Sequence, residues 1–330
     1  MNVLVTGATG AVGPRVVWAL HAGKYHIRTL SLENAPVSTM PDGVEVRLGD
    51  VADEATVQSA MKGIDIVMHL AALVHSANPE PKLRVQYEHT NVAGTVAVVG
   101  AAAKAGVKRI LFFSTITVYG SSEGRLLDEN SPTHPSTLYA QTKLAAEQIV
   151  LKARGSDDRP IGTVLRLAAV YGSRLKGNYE RLARALAHKF FIPIGDGRNR
   201  RTLIYDRDVA QAAVLAAEHP DAAGRIYNLT DGSFHELKEI IAAICTALGR
   251  KPPRFSVPSA LAFITAGILE NAARLVGRSS PITRATIDKY VEDIAVESQR
   301  IKKELGFVPN YDLRAGWDEA IREMRVNGTL

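Results

Sequence analysis

Between a β-branched run, Asn2-Val3-Leu4-Val5-Thr6, and an apolar-periodic segment carrying Val16, Val17, Ala19 and Leu20, the chain places Gly7-Ala8-Thr9-Gly10-Ala11-Val12-Gly13. The run predicts a buried parallel strand and the periodicity after it a helix. Glycines at such a junction permit a tight turn and let a ligand approach the main chain closely. The helix start beyond them offers free N–H groups and a positive dipole end, which suit a pyrophosphate. Gly7, Gly10, Ala11, Val12 and Gly13 are therefore the first candidate dinucleotide contacts. The arrangement implies an α/β fold of Rossmann type, with a doubly wound, mostly parallel sheet.

Further strands are predicted over residues 26–30, 44–48, 64–69, 109–113 and 161–167, with a short one near Tyr227. The end of the second strand is where a carboxylate binds the adenosine ribose 2′-OH of NAD. Ser31 stands there, followed by Leu32 where an arginine would hold a 2′-phosphate. The cofactor is thus NAD(P), with a lean to NAD from the missing basic residue. Glu33 is near enough to serve the ribose, and an exposed loop glutamate is the equal alternative. Leu70-Ala71-Ala72 follows the fourth strand with small residues that let a cofactor lie across its end. His75, in a loop ending with Pro79 and Pro81, reads as solvated and takes no chemical role.

The 330 residues, 46% hydrophobic and 22% charged, allow a sizeable core in one large or two intimate domains. The net charge of +6 comes from 40 Lys plus Arg against 34 Asp plus Glu, scattered except at Arg198-Asn199-Arg200-Arg201. Such an excess suits phosphate-bearing small molecules and requires no nucleic acid. No metal site is expected. One cysteine, Cys245, cannot form an internal disulfide, and the chain starts directly on a strand with no leader pattern, so the expected location is cytoplasmic. The longest apolar stretch, Val257 to Val276, is interrupted by Glu270, Asn271 and Arg274 and is unsuited to spanning a membrane. It predicts an amphipathic cap helix, with membrane-surface attachment as the alternative.

Tyr139 and Lys143 in Tyr-Ala-Gln-Thr-Lys lie one helical turn apart and can act on one substrate atom. A phenol of pKa about 10 is a poor base at neutral pH, and a neighbouring ammonium favours the phenolate. With a hydroxyl from Thr115 or Ser114 to hold the substrate oxygen, the set could move a proton on or off an alcohol while hydride leaves or reaches its carbon. A solvated helix face is the other reading of such a pair. Glu147, one turn beyond Lys143, reads as a surface or helix-pairing residue.

The G-x-x-G-x-x-G spacing, then a strand running into Ser114-Thr115, Val118-Tyr119-Gly120 and Tyr-x-x-x-Lys, resembles the extended short-chain dehydrogenase/reductase superfamily. That group contains the nucleotide-sugar epimerases, dehydratases and reductases. The resemblance implies that Thr115, Tyr139 and Lys143 are catalytic, with Tyr139 lowered in pKa by Lys143 and the nicotinamide charge. It also implies that Asp50 and Val51 of the Gly49-Asp50-Val51 turn contact adenine, the N-cap of a helix starting near Glu54 being the other reading of Asp50. Asn91 of Thr90-Asn91-Val92-Ala93-Gly94-Thr95 would support the active site and cofactor. Asn178 in Lys176-Gly177-Asn178-Tyr179 and Arg201 would meet the diphosphate or sugar of the substrate, leaving Arg198 and Arg200 as solvated loop arginines. Ala169 departs from the family's frequent asparagine, so one polar contact is missing or replaced.

By the same resemblance the chain divides into a dinucleotide-binding part, 1–168 with segments near 201–229, and a substrate lobe, 169–200 with 230–330. The sheet would be rejoined near Leu203 and Tyr227, and a homodimer would form through helices near Asn91 and Tyr139. Thr115 is followed by Ile116 and Thr117, unlike the Thr-Asp-Glu of the 4,6-dehydratase branch. A UDP-sugar 4-epimerase working through a transient 4-keto intermediate is therefore the leading expectation. The alternatives are a 4-keto nucleotide-sugar reductase, a 3β-hydroxysteroid dehydrogenase-like oxidoreductase, suggested by Thr230-Asp231-Gly232 and the apolar run from Val257 to Leu269, and a non-catalytic dinucleotide-binding regulator.

Overall fold

The computed structural model describes residues 1–32, 40–74, 81–174, 177–188, 190–275, 280 and 283–330, so Glu33, His75, Pro79, Lys176 and Val276 lie outside the described residues. In chain order the elements are β1 (Asn2–Thr6), α1 (Gly13–Ala22), β2 (His26–Ser31), β3 (Glu45–Leu48), α2 (Glu54–Met61), β4 (Ile66–His69), α3 (Pro81–Tyr87), α4 (Gly94–Ala105), β5 (Arg109–Thr115) and α5 (Leu138–Leu151). There follow β6 (Gly162–Leu167), β7 (Ala169–Tyr171), α6 (Asn178–Ala187), β8 (Arg200–Arg201), β9 (Leu203–Tyr205), α7 (Asp206–Glu218), β10 (Ile226–Leu229) and β11 (His235–Glu236). The chain closes with α8 (Leu237–Ala247), α9 (Ser259–Leu275), α10 (Arg284–Val291), α11 (Gln299–Leu305) and α12 (Leu313–Val326).

Seven strands form one parallel sheet in the order β10-β6-β5-β4-β1-β2-β3. Strand order reverses beside β1, and ligands bind at such a switch point beyond the carboxyl ends of the strands. The sheet is covered on both faces. Val3, Val5, Val16, Val17 and Leu20 join the α7 residues Val209 and Ala213 on one side. Leu4, Val67, Val98, Ala102 and Val150 join α2, α4 and α5 on the other. Central strands buried from both sides need continuous apolar runs, which is what β1, β4 and β5 have.

The expected return near Tyr227 is β10, paired with β6. The segment at Leu203 instead pairs in parallel with β7 in a separate two-stranded sheet. The backbone shows why. Ala168 N–H still donates to Leu229 O of the main sheet at 2.9 Å, but Ala169 N–H donates to Thr202 O at 3.2 Å, so the ladder passes to a new partner just beyond β6.

A further core gathers Tyr171, Tyr205, Trp317, Ile240 and Ile244, with the Tyr171 and Trp317 rings stacked at 4.6 Å. Arg15 of α1 ties this core to the sheet by pairing with buried Asp206 at 3.0 Å and with Glu323 of α12. The predicted cap helix is α9. Among the described residues no helix is long and apolar enough to cross a membrane, and no cluster of His, Cys, Asp and Glu could hold a metal ion.

Candidate active site

The glycine turn lies against the end of β4. Gly7 has φ +70°, and a Cβ on it would fall 2.6 Å from Ala71 N, so only glycine lets β1 turn here beside Leu70 and Ala71. A Cβ on Gly13 would meet Ala8 O at 2.3 Å, which fixes the close start of α1. Val12 precedes that helix, and its side chain makes no capping hydrogen bond; Pro14 has no N–H and Arg15 N–H donates to Val12 O at 3.0 Å, so the first turn offers at most the Gly13 N–H to another acceptor. Gly10 and Ala11 form the exposed lip of the turn. At the end of β2, the Ser31 hydroxyl is buried with no hydrogen-bond partner among the described residues. These features fit a dinucleotide, with its pyrophosphate on the turn and its ribose towards Ser31.

Asp50 is half-exposed beyond β3; one carboxylate oxygen accepts from Ala52 N–H at 2.9 Å and the other faces His89 Nε2 at 3.1 Å. It does not cap α2. Asp53, three residues on, does so by accepting from Ala55 N–H, because only a residue directly ahead of the first turn can reach its N–H groups. Val51 is buried against Gly94 of α4. Leu70, Ala71 and Ala72 are half-buried at the end of β4.

The chemical groups converge from β5 and α5. Thr137 caps α5 by accepting from Ala140 N–H at 3.2 Å, which places Tyr139 in the first turn and Lys143 one turn below it. Thr115 ends β5 nearly buried; its Oγ1 accepts from Thr117 N–H at 3.2 Å and lies 3.1 Å from Thr117 Oγ1. Asn91 sits in a π-helical turn, Glu88–Ala93, of a kind frequent at functional sites. Its amide accepts from Leu73 N–H at 2.7 Å and donates to Leu73 O at 3.2 Å and to Thr142 Oγ1 at 3.0 Å. Asn91 thus pins the loop beyond β4 to α5, a positioning task. Leu73 and Thr90 also line a cavity of about 300 Å³ with Val85, Gln86 and His89.

Lys143 is fully buried, with Nζ 4.0 Å from the centroid of the Phe112 ring. Burial pushes its pKa down to about 7, against a smaller upward pull from Glu147. Burial and, to a lesser degree, Tyr87 push the Tyr139 phenol up to about 12. The expected lowering of Tyr139 by Lys143 is not found within the protein's own field, where desolvation penalises both charged forms. His69 below them is held neutral, its pKa near 3 through burial and the Lys143 charge. Its ring nitrogens lie 2.7 Å from Thr6 Oγ1 and 3.0 Å from Thr95 Oγ1, locking β4 to β1 and α4.

This parallel sheet, with its glycine turn at a strand-order reversal, has counterparts among known proteins. The model of the NAD dependent epimerase/dehydratase family matches residues 3–230. The chain belongs to that family. It is 26% identical over 323 residues to the N-acetyl-alpha-D-glucosaminyl-diphospho-ditrans,octacis-undecaprenol 4-epimerase of Escherichia coli O157:H7, covering 97% of this chain and 94% of that protein. It is 27% identical over 325 residues to the UDP-glucose 4-epimerase of Vibrio cholerae, covering 96% and 94%. The solved structure of MoeE5 in complex with UDP-glucose and NAD superposes with a TM-score of 0.77 at 26% identity, covering 99% of each chain.

Asn178 and Arg201, the two expected substrate contacts, stand on α6 and β8. Asn178 opens α6, exposed, with its carbonyl accepting from Arg181 at 2.6 Å, and it borders a cavity of about 80 Å³ with Tyr171, Tyr179 and Trp317. Arg201 donates to the carbonyls of Lys289 and Tyr290 at the end of α10. Arg200 is no solvated loop arginine, since it pairs with Asp293 at 2.7 Å. Ala169 is exposed on β7.

Glu147, read from its helical spacing as a surface residue, is completely buried. It forms a forked pair with Arg166 of β6, at 2.6 Å for the shortest contact, and accepts from the Ser114 hydroxyl. Arg166 also lies 4.8 Å from the centroid of Tyr119, whose hydroxyl donates to Asn228 at 2.7 Å. This network braces the carboxyl end of β5 from behind and takes Ser114 out of contention for the substrate oxygen. The available signal was Arg166 itself: a guanidinium inside an apolar central strand requires a buried counter-charge.

Proposed function

We propose that the protein is an NAD(P)-dependent nucleotide-sugar 4-epimerase, acting on a UDP-sugar through a transient 4-keto intermediate. The observation that supports the reading is Thr115 at the carboxyl end of β5 with Tyr139 and Lys143 one turn apart on α5, in a sheet whose β1 ends in the Gly7 to Gly13 turn. A regulator that only binds dinucleotide has no use for that set. Bound NAD would supply hydride exchange at C4 of the sugar and a positive ring charge beside Tyr139.

Thr115 Oγ1 holds the 4-oxygen. Tyr139 would take the 4-OH proton as the 4-keto sugar forms and return it to that oxygen once the sugar has turned. Lys143 supplies the positive charge that favours phenolate in that step, and Asn91 fixes α5 against the loop beyond β4. Atoms and electrons balance with no net oxidation. The start of α1 would hold the pyrophosphate of the cofactor, its positive dipole end favouring the anion. Ser31, with no basic residue at Leu32, supports NAD over NADP.

The test incubates the protein with UDP-glucose, UDP-N-acetylglucosamine and 4-keto-6-deoxy sugar nucleotides, with and without NADPH. The 4-epimer without net cofactor consumption is expected. Stoichiometric NADPH oxidation would replace the epimerase with a reductase. Competitive titration of NAD and NADP tests the cofactor preference. A homodimer through α3, α4 and α5 accompanies this reading, supported by Val85 and Val96, 67% and 51% exposed on the helices flanking Asn91. Light scattering at the monomer mass would reject it.

A further inference from the structure

α9 is inverted for a helix whose only task is to cover a core. Its inward side is small, with Ala262 and Ala266 packed on Ile287 of α10 and beside Ile194 and Val257. The large apolar side chains point out: Leu261, Ile264, Ile268 and Leu269 are 51%, 60%, 62% and 47% exposed. Their spacing places them along one face of the helix. The apolar surface continues past the helix start. Val257 N–H donates to Pro193 O and Gly195 N–H to Val257 O, both at 2.8 Å, which sets the segments before them side by side. Those segments expose Phe190 at 87%, Ile192 at 62% and Phe255 at 85%. A contiguous patch of this kind on a folded chain marks an interaction site.

The sequence bordering the patch is basic. From Arg250 to Arg284 the sequence has six basic residues and one acid, Glu270. That acid is paired with Arg284 at 2.8 Å, while Lys251, Arg254 and Arg274 are exposed. A second copy seated face to face would set these cations against their own kind, since a two-fold interface repeats the same patch. An anionic bilayer complements both parts: acyl chains receive the apolar side chains, and headgroups receive the cations. We propose that the outward face of α9, with Phe190, Ile192 and Phe255, seats on an anionic lipid surface without crossing it. The seated lobe is the one that holds Arg201, whose guanidinium caps the end of α10. Seating is independent of the reaction assigned to Tyr139.

Sedimentation of the full chain with vesicles tests it. The protein should pellet with phosphatidylcholine vesicles containing phosphatidylglycerol, far less with pure phosphatidylcholine, and less again at about 0.5 M salt. Ile264→Asp with Ile268→Asp should lower the bound fraction roughly tenfold or more, with an unchanged circular dichroism spectrum and melting temperature, because both residues are outside the core. Lys251→Glu with Arg254→Glu should lower binding to the anionic vesicles alone. Wild-type protein remaining in the supernatant with every vesicle, or the Ile264 and Ile268 double variant pelleting as wild type does, would overturn the proposal. So would a wild-type dimer that the same double variant converts to monomer without any vesicle binding, which would assign the face to a second copy.

Discussion

The turn between β1 and α1 and the helix α9 both set small residues against a packed surface, with opposite results. At the turn, the missing side chains of Gly7 and Gly13 bring backbone against backbone at a strand-order reversal. In α9, Ala262 and Ala266 face inward and the large residues face out. The first surface is complementary to a small anionic ligand and is embedded in the sheet that holds the fold together. The second is broad, apolar and fringed with cations, and little of the fold leans on it. Substitutions should therefore be costly in and behind the first surface and nearly silent for stability on the second.

The largest break is expected at Glu147. Replacing it with alanine leaves the Arg166 guanidinium buried without its carboxylate, which should cost about 3–5 kcal/mol in denaturant unfolding. Gly7→Ala should follow, losing about 1–3 kcal/mol and weakening dinucleotide binding, because alanine disfavours the positive φ and its Cβ strikes the Ala71 backbone. Calorimetry with and without NAD separates the two losses.

Lys143 gives a smaller effect with a definite sign. Its pKa is about 7 in the folded protein against an ordinary 10.5, so between those values the unfolded chain holds the extra proton. Stability contributed by this group rises with pH across that window, by up to about 1.4 kcal/mol per pH unit. The difference between wild type and Lys143→Met, measured at pH 7, 8 and 9 (on the order of 1 kcal/mol per step), should shift in wild type's favour as pH rises. The smallest effect belongs to α9: Ile268→Ser should change unfolding free energy by no more than about 0.5 kcal/mol. A loss of several times that would show that the face is buried and would erase the contrast with the turn.

The legible features share a local cause. The glycine turn, the strand ends and the spacing of Tyr139 and Lys143 along one helix are each specified by residues close in sequence, where spacing alone decides direction. Glu147 was misread because helical spacing from Lys143 reports which face a side chain occupies, not what packs there; its partner Arg166 arrives from a strand 19 residues later. The placement of β9 depended on Ala169 changing hydrogen-bond partner, which no periodicity records. In α9 the pattern of small and large residues was visible, but periodicity assigns no inside to a helix. Asp50 stands three residues too early to cap α2, a role that falls to Asp53 directly ahead of the first turn.

The central claim is that Tyr139 moves the proton of the reacting alcohol, and Tyr139→Phe tests it most directly. The variant should keep the wild-type melting temperature and NAD affinity while turnover of whichever sugar nucleotide is epimerised falls by roughly 10²–10⁴-fold. Full turnover by Tyr139→Phe would contradict the account, even with the fold and the dinucleotide cradle intact.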